Sequence, residues 1–373
     1  MEHASFSPSS LYRVIACPAS WSVVNTIQAQ KGPAPPSPYA EHGTLLHAVV
    51  VEKAKGDILP YNRLDVEDRN YIDDAMDFIS VLQGQMGDGW QEVHDVRVKL
   101  DGYSNMLENV WGTLDYALWD DSTLHIVDWK FGKGVQVYAH RNPQLLTYAA
   151  GMMVDLPDSV EKVFCHIVQP PLNHFDVYET TRQGILNFLF STLLPTIQAA
   201  QKKNPRFHAG EKQCRFCPAG VQCPERHKMA ITQAQEVFKK VQVLEVVSPE
   251  DLSAFLSKCG ELTNYIKQLK KYALDQAIQG EPLPGWKVVS GRSTRKWKDE
   301  RQAAEFLSDF IDDCLVTKVI TPAQAEKKYR QFRKDKGFQA LVEKTQGKPV
   351  LAPESDKREE YLTDVFRSVD LQT

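Results

Sequence analysis

The chain has 373 residues, 42% of them hydrophobic and 25% charged, the balance of a globular protein able to bury a core in two or three units. No apolar run approaches the ~20 residues needed to cross a bilayer, which excludes a helical membrane protein. The net charge of −4 hides an asymmetry: residues 1–280 carry 26 Lys+Arg against 32 Asp+Glu, while residues 281–373 carry 18 against 16. The first twenty residues lack an apolar stretch behind a basic start, so the sequence predicts a cytoplasmic protein.

In chain order, residues 9–26 read as a helix interrupted at Cys17-Pro18, followed by a Pro-rich loop over 31–38. Residues 43–55 and 67–86 carry helical apolar spacing. Strand character follows over 91–100, 110–119 and 123–129, then a helix over 142–153. Strands over 163–169 and 174–179 and a long helix over 181–202 complete this part. Residues 207–227 form a cysteine-bearing loop, with helices beyond it over 230–240 and 249–279. GEPLPG at 280–285 marks a boundary before a mixed C-terminal segment. This order predicts an α/β fold, a central mixed sheet flanked by helices, with a helical or mixed C-terminal appendage. Three regions result: 1–228, a helical hairpin over 229–280, and a basic accessory region over 281–373.

Four short motifs in the first region carry the chemistry: Gly43-Thr44-Leu45-Leu46-His47, Gly112-Thr113-Leu114-Asp115, Ile126-Val127-Asp128-Trp129-Lys130 and Gln144-Leu145-Leu146-Thr147-Tyr148. Asp115 and Asp128 on neighbouring strands suit one hard divalent cation, Mg²⁺ or Mn²⁺. Strand alternation puts Asp128 and Lys130 on one side, where the lysine can stabilise charge on a phosphate. His47 is a candidate imidazole ligand that favours Mn²⁺. Gln144 and Tyr148 share a helix face. Taken singly, each motif also fits an ordinary surface or core position; their order and spacing together are the specific signal.

Of the seven cysteines, Cys214, Cys217 and Cys223 lie within ten residues of each other, and an odd total argues against a disulfide framework. Cys17 is the first candidate for a fourth metal ligand, ahead of Cys165 in its apolar strand. The spacing alone leaves structural Zn²⁺ and an iron–sulfur cluster open. In the C-terminal region, Arg292, Arg295, Lys296 and Trp297 interleave cations with an aromatic. That pattern suits single-strand DNA, or equally a core tryptophan beside a basic turn.

The series GTLLH, GTLD, VDWK and QLLTY resembles the RecB-like branch of the PD-(D/E)XK nucleases. The wider pattern YAEHGTLLH, DWKFGKGV and NPQLLTYAAG is similar to a phage and prophage family of unknown function with a predicted nuclease core, and because GWKVVSGRSTRKW and ESDKRE also recur there the resemblance covers essentially the whole chain. The resemblance implies a restriction-endonuclease-like sheet and metal ligation by His47, Asp115 and Asp128. It also implies Lys130 as catalytic lysine, with Gln144 and Tyr148 positioning DNA or the site. The trio C-x2-C-x5-C with one upstream cysteine is similar to AddB-type nucleases, which implies a [4Fe–4S] cluster on Cys17, Cys214, Cys217 and Cys223. The function so implied is a DNA exonuclease resecting ends in phage recombination or replication inside a bacterial host cell. A phage single-strand-binding or annealing protein is its implied partner. A non-catalytic DNA-binding or assembly protein on the same fold is the alternative, and no motif distinguishes RNA by its 2′-hydroxyl.

Overall fold

A computed structural model describes the chain except residues 1–3, 33–36, 87–88, 242–248, 292–293, 312–318, 334, 346–348, 354–357 and 359–373. The chain divides into two compact units, Met1–Phe255 and Leu256–Thr373.

The first unit is mixed α/β. Its helices α1 (Leu11–Ala16), α2 (Ala19–Lys31), α3 (Pro38–Ala54), α4 (Leu59–Asn62) and α5 (Val66–Gln85) precede strands β1 (Gln91–Lys99), β2 (Trp111–Trp119) and β3 (Thr123–Trp129). Then come α6 (Pro143–Met152), β4 (Lys162–Gln169), β5 (His174–Thr181), α7 (Arg182–Phe188), α8 (Leu194–Ala200), α9 (Glu211–Arg215) and α10 (Pro224–Val241). The next helix, α11 (Pro249–Ile278), holds the boundary between the units.

The five strands form one sheet in the order β1-β2-β3-β4-β5. Only the β3–β4 pair is parallel, because α6 carries the chain across between them. Both faces are covered. On one side Leu145, Ala149, Ile185, Leu193 and Ile197 bury β3 residues Leu124 and Ile126. On the other, Leu46, Val50, Ile72 and Ile79 bury Val127 and Trp129. The near-continuous apolar character of β3 follows from this double coverage. The long helix expected over 181–202 is present but carries a π turn at Leu189–Leu193, just before Pro195, whose missing N–H cannot sustain the regular ladder.

The second unit contains two-stranded pairs of β6 (Trp286–Ser290) with β9 (Pro349–Pro353) and β7 (Thr294–Trp297) with β8 (Val342–Thr345). Its core is Trp297, Leu307, Ile311, Phe332 and Phe338. Among the described residues no helix is long and apolar enough to cross a membrane.

Candidate active site and cysteine pocket

Alternation along β2 breaks at one rung. Leu114 and Ala117 face the α6 side, whereas Tyr116 and Leu118 face the α3–α5 side, so the change of face falls at Asp115. On β1, Val93 and Val96 both pack towards α6, which places the same change beside Asp95. Asp95 sits between the rungs His94–Tyr116 and Val96–Leu114 and has φ +49°. Aspartate tolerates that left-handed backbone better than most side chains. Asp115 thus lies at the seam of the two layers, where its Oδ2 accepts from the Trp129 N–H at 2.8 Å.

Around that seam the four motifs meet. From α3, started by Ser37 as N-cap and Pro38 at the first turn, His47 brings Nδ1 to 3.5 Å from Asp115 Oδ2. Strand alternation sends Asp128 to the α6 side, where it is 1% exposed. Lys130 follows on the same face and places Nζ 2.6 Å from Asp128 Oδ2. The N-cap Asn142 and Pro143 start α6 so that Gln144 stands in its first turn and Tyr148 one turn on. Gln144 Nε2 donates to Asp128 Oδ1 at 2.7 Å and to the Tyr148 hydroxyl at 3.2 Å, and its Oε1 accepts from Lys130 Nζ at 3.3 Å.

Burial pushes the Asp128 carboxyl up, with Lys130 opposing it. Burial alone would lower Lys130, but the charges of Asp128 and Asp115 outweigh it and hold the ammonium above its ordinary value. His47 behaves alike: burial works against its charge, and the hydrogen bond and charge of Asp115 raise it overall. Burial also raises Tyr148.

The donor set of two carboxylates and an imidazole suits Mn²⁺ or Mg²⁺. Asp128 Oδ2 is buried without an aligned hydrogen bond even though the ammonium stands beside it, a group with capacity for a cation. As the side chains stand, no three His, Cys, Asp or Glu among the described residues are arranged to hold an ion. Lys130 is the cation balancing Asp128 here.

The second cluster joins the N-terminus to the end of this unit. Cys17, Cys214, Cys217 and Cys223 line one small pocket with Ser20 and Arg226. The His208 N–H donates to Cys17 Sγ at 3.3 Å and the Gly210 N–H to Cys214 Sγ at 3.4 Å. All four are free thiols, and burial pushes Cys214 and Cys217 up. The buried Ser20 hydroxyl has no hydrogen-bond partner. Four thiols lining one pocket are the donor types of a tetrathiolate metal group, although as the side chains stand they are not arranged to hold an ion. Cys165 is fully buried in β4, in the core of the α6 side.

In the basic segment the structure decides between the two readings of Trp297. Trp297 is 7% exposed, donates Nε1 to the Ile320 carbonyl at 2.8 Å and packs edge-on against Phe338. It is a core anchor, so its ring is not a stacking platform for a base. Lys296 is exposed and pairs with Glu343 at 3.2 Å. Arg292 and the side chain of Arg295 lie outside the described residues.

Sequence reasoning missed Gln169. This last residue of β4 is 1% exposed and hydrogen-bonds the segment that follows Lys130. The available signal was a lone amide ending the apolar run VFCHIVQ before two prolines.

The fold and site define a mixed α/β protein with a carboxylate–lysine–amide centre at the end of its third strand. Residues 3–359 match the family described as "Protein of unknown function (DUF2800)", and the chain belongs to it. A solved structure titled "Crystal structure of SSO0001" is similar at 16% identity, over 61% of this chain and 88% of that one, with a TM-score of 0.29.

Proposed function

We propose that this protein is a divalent-metal-dependent nuclease of the RecB-like PD-(D/E)XK type that hydrolyses phosphodiester bonds in DNA. One observation carries the reading. His47, Asp115, the Asp128–Lys130 pair and the Gln144–Tyr148 pair come from four separate segments and meet around one buried carboxylate.

Asp115, Asp128 and His47 would hold Mg²⁺ or Mn²⁺, which when bound supplies a Lewis acid and an acidified water. The Lys130 ammonium, charged at neutral pH, neutralises negative charge developing on the phosphate. Gln144 keeps that ammonium and Asp128 in register, and Tyr148 fixes Gln144 from the next turn. Cys17, Cys214, Cys217 and Cys223 would hold a structural metal group, a [4Fe–4S] cluster by resemblance or Zn²⁺ by donor type. An exonuclease acting in the cytoplasm of a phage-bearing bacterial cell, beside a single-strand-binding or annealing protein, completes the proposal.

The test uses anaerobically purified protein with labelled linear single- and double-stranded DNA, a closed circle and an RNA strand. Mg²⁺ and Mn²⁺ are added separately, with Lys130→Ala as control. Loss of linear DNA alone, abolished in the variant, is expected, and the released label gives the polarity. Loss of RNA alone would redirect the substrate, and binding without strand loss would favour the non-catalytic DNA-binding protein.

A further inference from the structure

The segment linking β3 to α6 divides its backbone groups unevenly. Gln169 Nε2 donates to the carbonyls of Gly132 at 2.7 Å and Val135 at 2.9 Å, and its Oε1 accepts from the Val137 N–H at 3.1 Å. In a trans peptide the N–H points opposite to its C=O. Turning the Gly132 and Val135 carbonyls inward therefore turns the Lys133 and Gln136 N–H groups outward. No backbone N–H from Phe131 to Gln136 donates a hydrogen bond within the described protein, and residues 132–136 are all exposed.

The two glycines add a second observation. Neither Gly132 nor Gly134 has a positive φ, and a Cβ on either would meet nothing within 4 Å. Neither backbone strain nor packing calls for glycine here. What a bare backbone leaves is room for close approach by a ligand. Between them, Lys133 pairs with Glu67 at 2.6 Å, with the two side chains 56% and 63% exposed. Tyr71 flanks the pair, its hydroxyl donating to Glu67 and its ring 5.2 Å from the ammonium, but solvent reaches both charges, so another anion can compete for Lys133.

Outward N–H groups, an exchangeable ammonium and an uncrowded backbone suit one chemistry, the oxygens of a phosphodiester. Resting on the nuclease reading, we propose that Gly132–Lys133–Gly134 is a backbone subsite for a neighbouring phosphate of the nucleic-acid strand engaged at Asp128–Lys130. Gln169 is its positioning residue: by holding the Gly132 carbonyl in, it keeps the Lys133 N–H out.

The full-length protein is titrated with a fluorescein-labelled oligonucleotide in divalent-free buffer, then assayed for cleavage with Mn²⁺. The double variant Gly132→Ala/Gly134→Ala is expected to keep its Tm while Kd rises about tenfold, the loss of one or two charge-assisted hydrogen bonds. Lys133→Ala is expected to lower the slope of log K against log salt by about 1. Glu67→Gln, which frees the ammonium, is expected to tighten binding. Gln169→Met is expected to cost affinity less in the double-glycine background than alone, because both act on one subsite. Unchanged Kd, salt slope and KM in the loop variants, beside a wild type that cleaves DNA, would overturn the subsite and leave the nuclease reading standing. A wild type that neither binds nor cleaves would overturn both.

Discussion

The Lys130 ammonium and the Asp128 carboxylate face each other at 2.6 Å, while Gln144 bonds the second oxygen of Asp128 at 2.7 Å and reaches back to the ammonium. One buried acid is thus balanced by one cation and one amide, drawn from both ends of the β3–α6 segment. Asp115→Ala, Asp128→Ala and Lys130→Ala are expected to abolish cleavage in gel assays while circular dichroism stays native. Gln144→Leu, which keeps the ion pair but loses its bridge, is expected to lower kcat by about 10²-fold. Full activity in Gln144→Leu would show that the bridge does not order the site.

Gly112 is glycine for a packing reason. A Cβ there would stand 2.8 Å from Pro8 and 3.2 Å from the Tyr148 ring. Gly112→Ala must therefore push the ring that braces Gln144. A loss of roughly 1–3 kcal/mol in denaturant unfolding, together with a fall in kcat, is expected from overpacking at this position.

His125 and His166 are stacked on neighbouring strands with Nδ1 and Nε2 3.0 Å apart. Burial lowers them to about 4 and about 3. The folded protein keeps both neutral while the unfolded chain protonates them below its ordinary value near 6.5. The contribution of this pair to stability should therefore be level above that pH and fall as pH drops towards 4. Removing one of the pair with His166→Leu is expected to flatten this limb by about 1.4 kcal/mol per pH unit. An unchanged slope in urea titrations from pH 6.5 to 4.5 would place the protons elsewhere.

The cysteine pocket ties residue 17 to residues 214–223, so a metal group there would close a loop of nearly the whole first unit. Cys17→Ser and Cys217→Ser are each expected to lose bound iron or zinc in elemental analysis and to lower Tm. Metal content equal to the wild type in both variants would remove these two from the ligand set.

Trp297→Ala is expected to destabilise the second unit by about 3–5 kcal/mol, the cost of truncating a buried tryptophan. Nucleic-acid affinity should not change in the fraction that remains folded, as read by fluorescence anisotropy.

The elements of the sheet and the helix carrying Gln144 were legible because their apolar periods are long and their ends are marked by Asn142-Pro143, Gly102 and Asp120-Asp121. Asp128 and Lys130 were rightly placed on one side, since alternation along β3 is unbroken to its end. The helix carrying His47 begins five residues before its apolar pattern, because Ser37 and Pro38 start it on exposed residues. α10 likewise begins at Pro224 rather than 230.

Local periodicity is a property of short segments, so the strands and helices that bring Asp128, Lys130, Gln144 and Tyr148 together could be read from it. Three features depended on tertiary contacts. The change of face beside Asp95 and Asp115, which lets His47 from one layer meet residues of the other, breaks the very alternation that sequence reading assumes. Trp297 looks alike whether its neighbours are solvent or Phe338, and only packing separated the two. Gln169 lies more than thirty residues from the backbone groups it binds, and a contact of that separation leaves no local period.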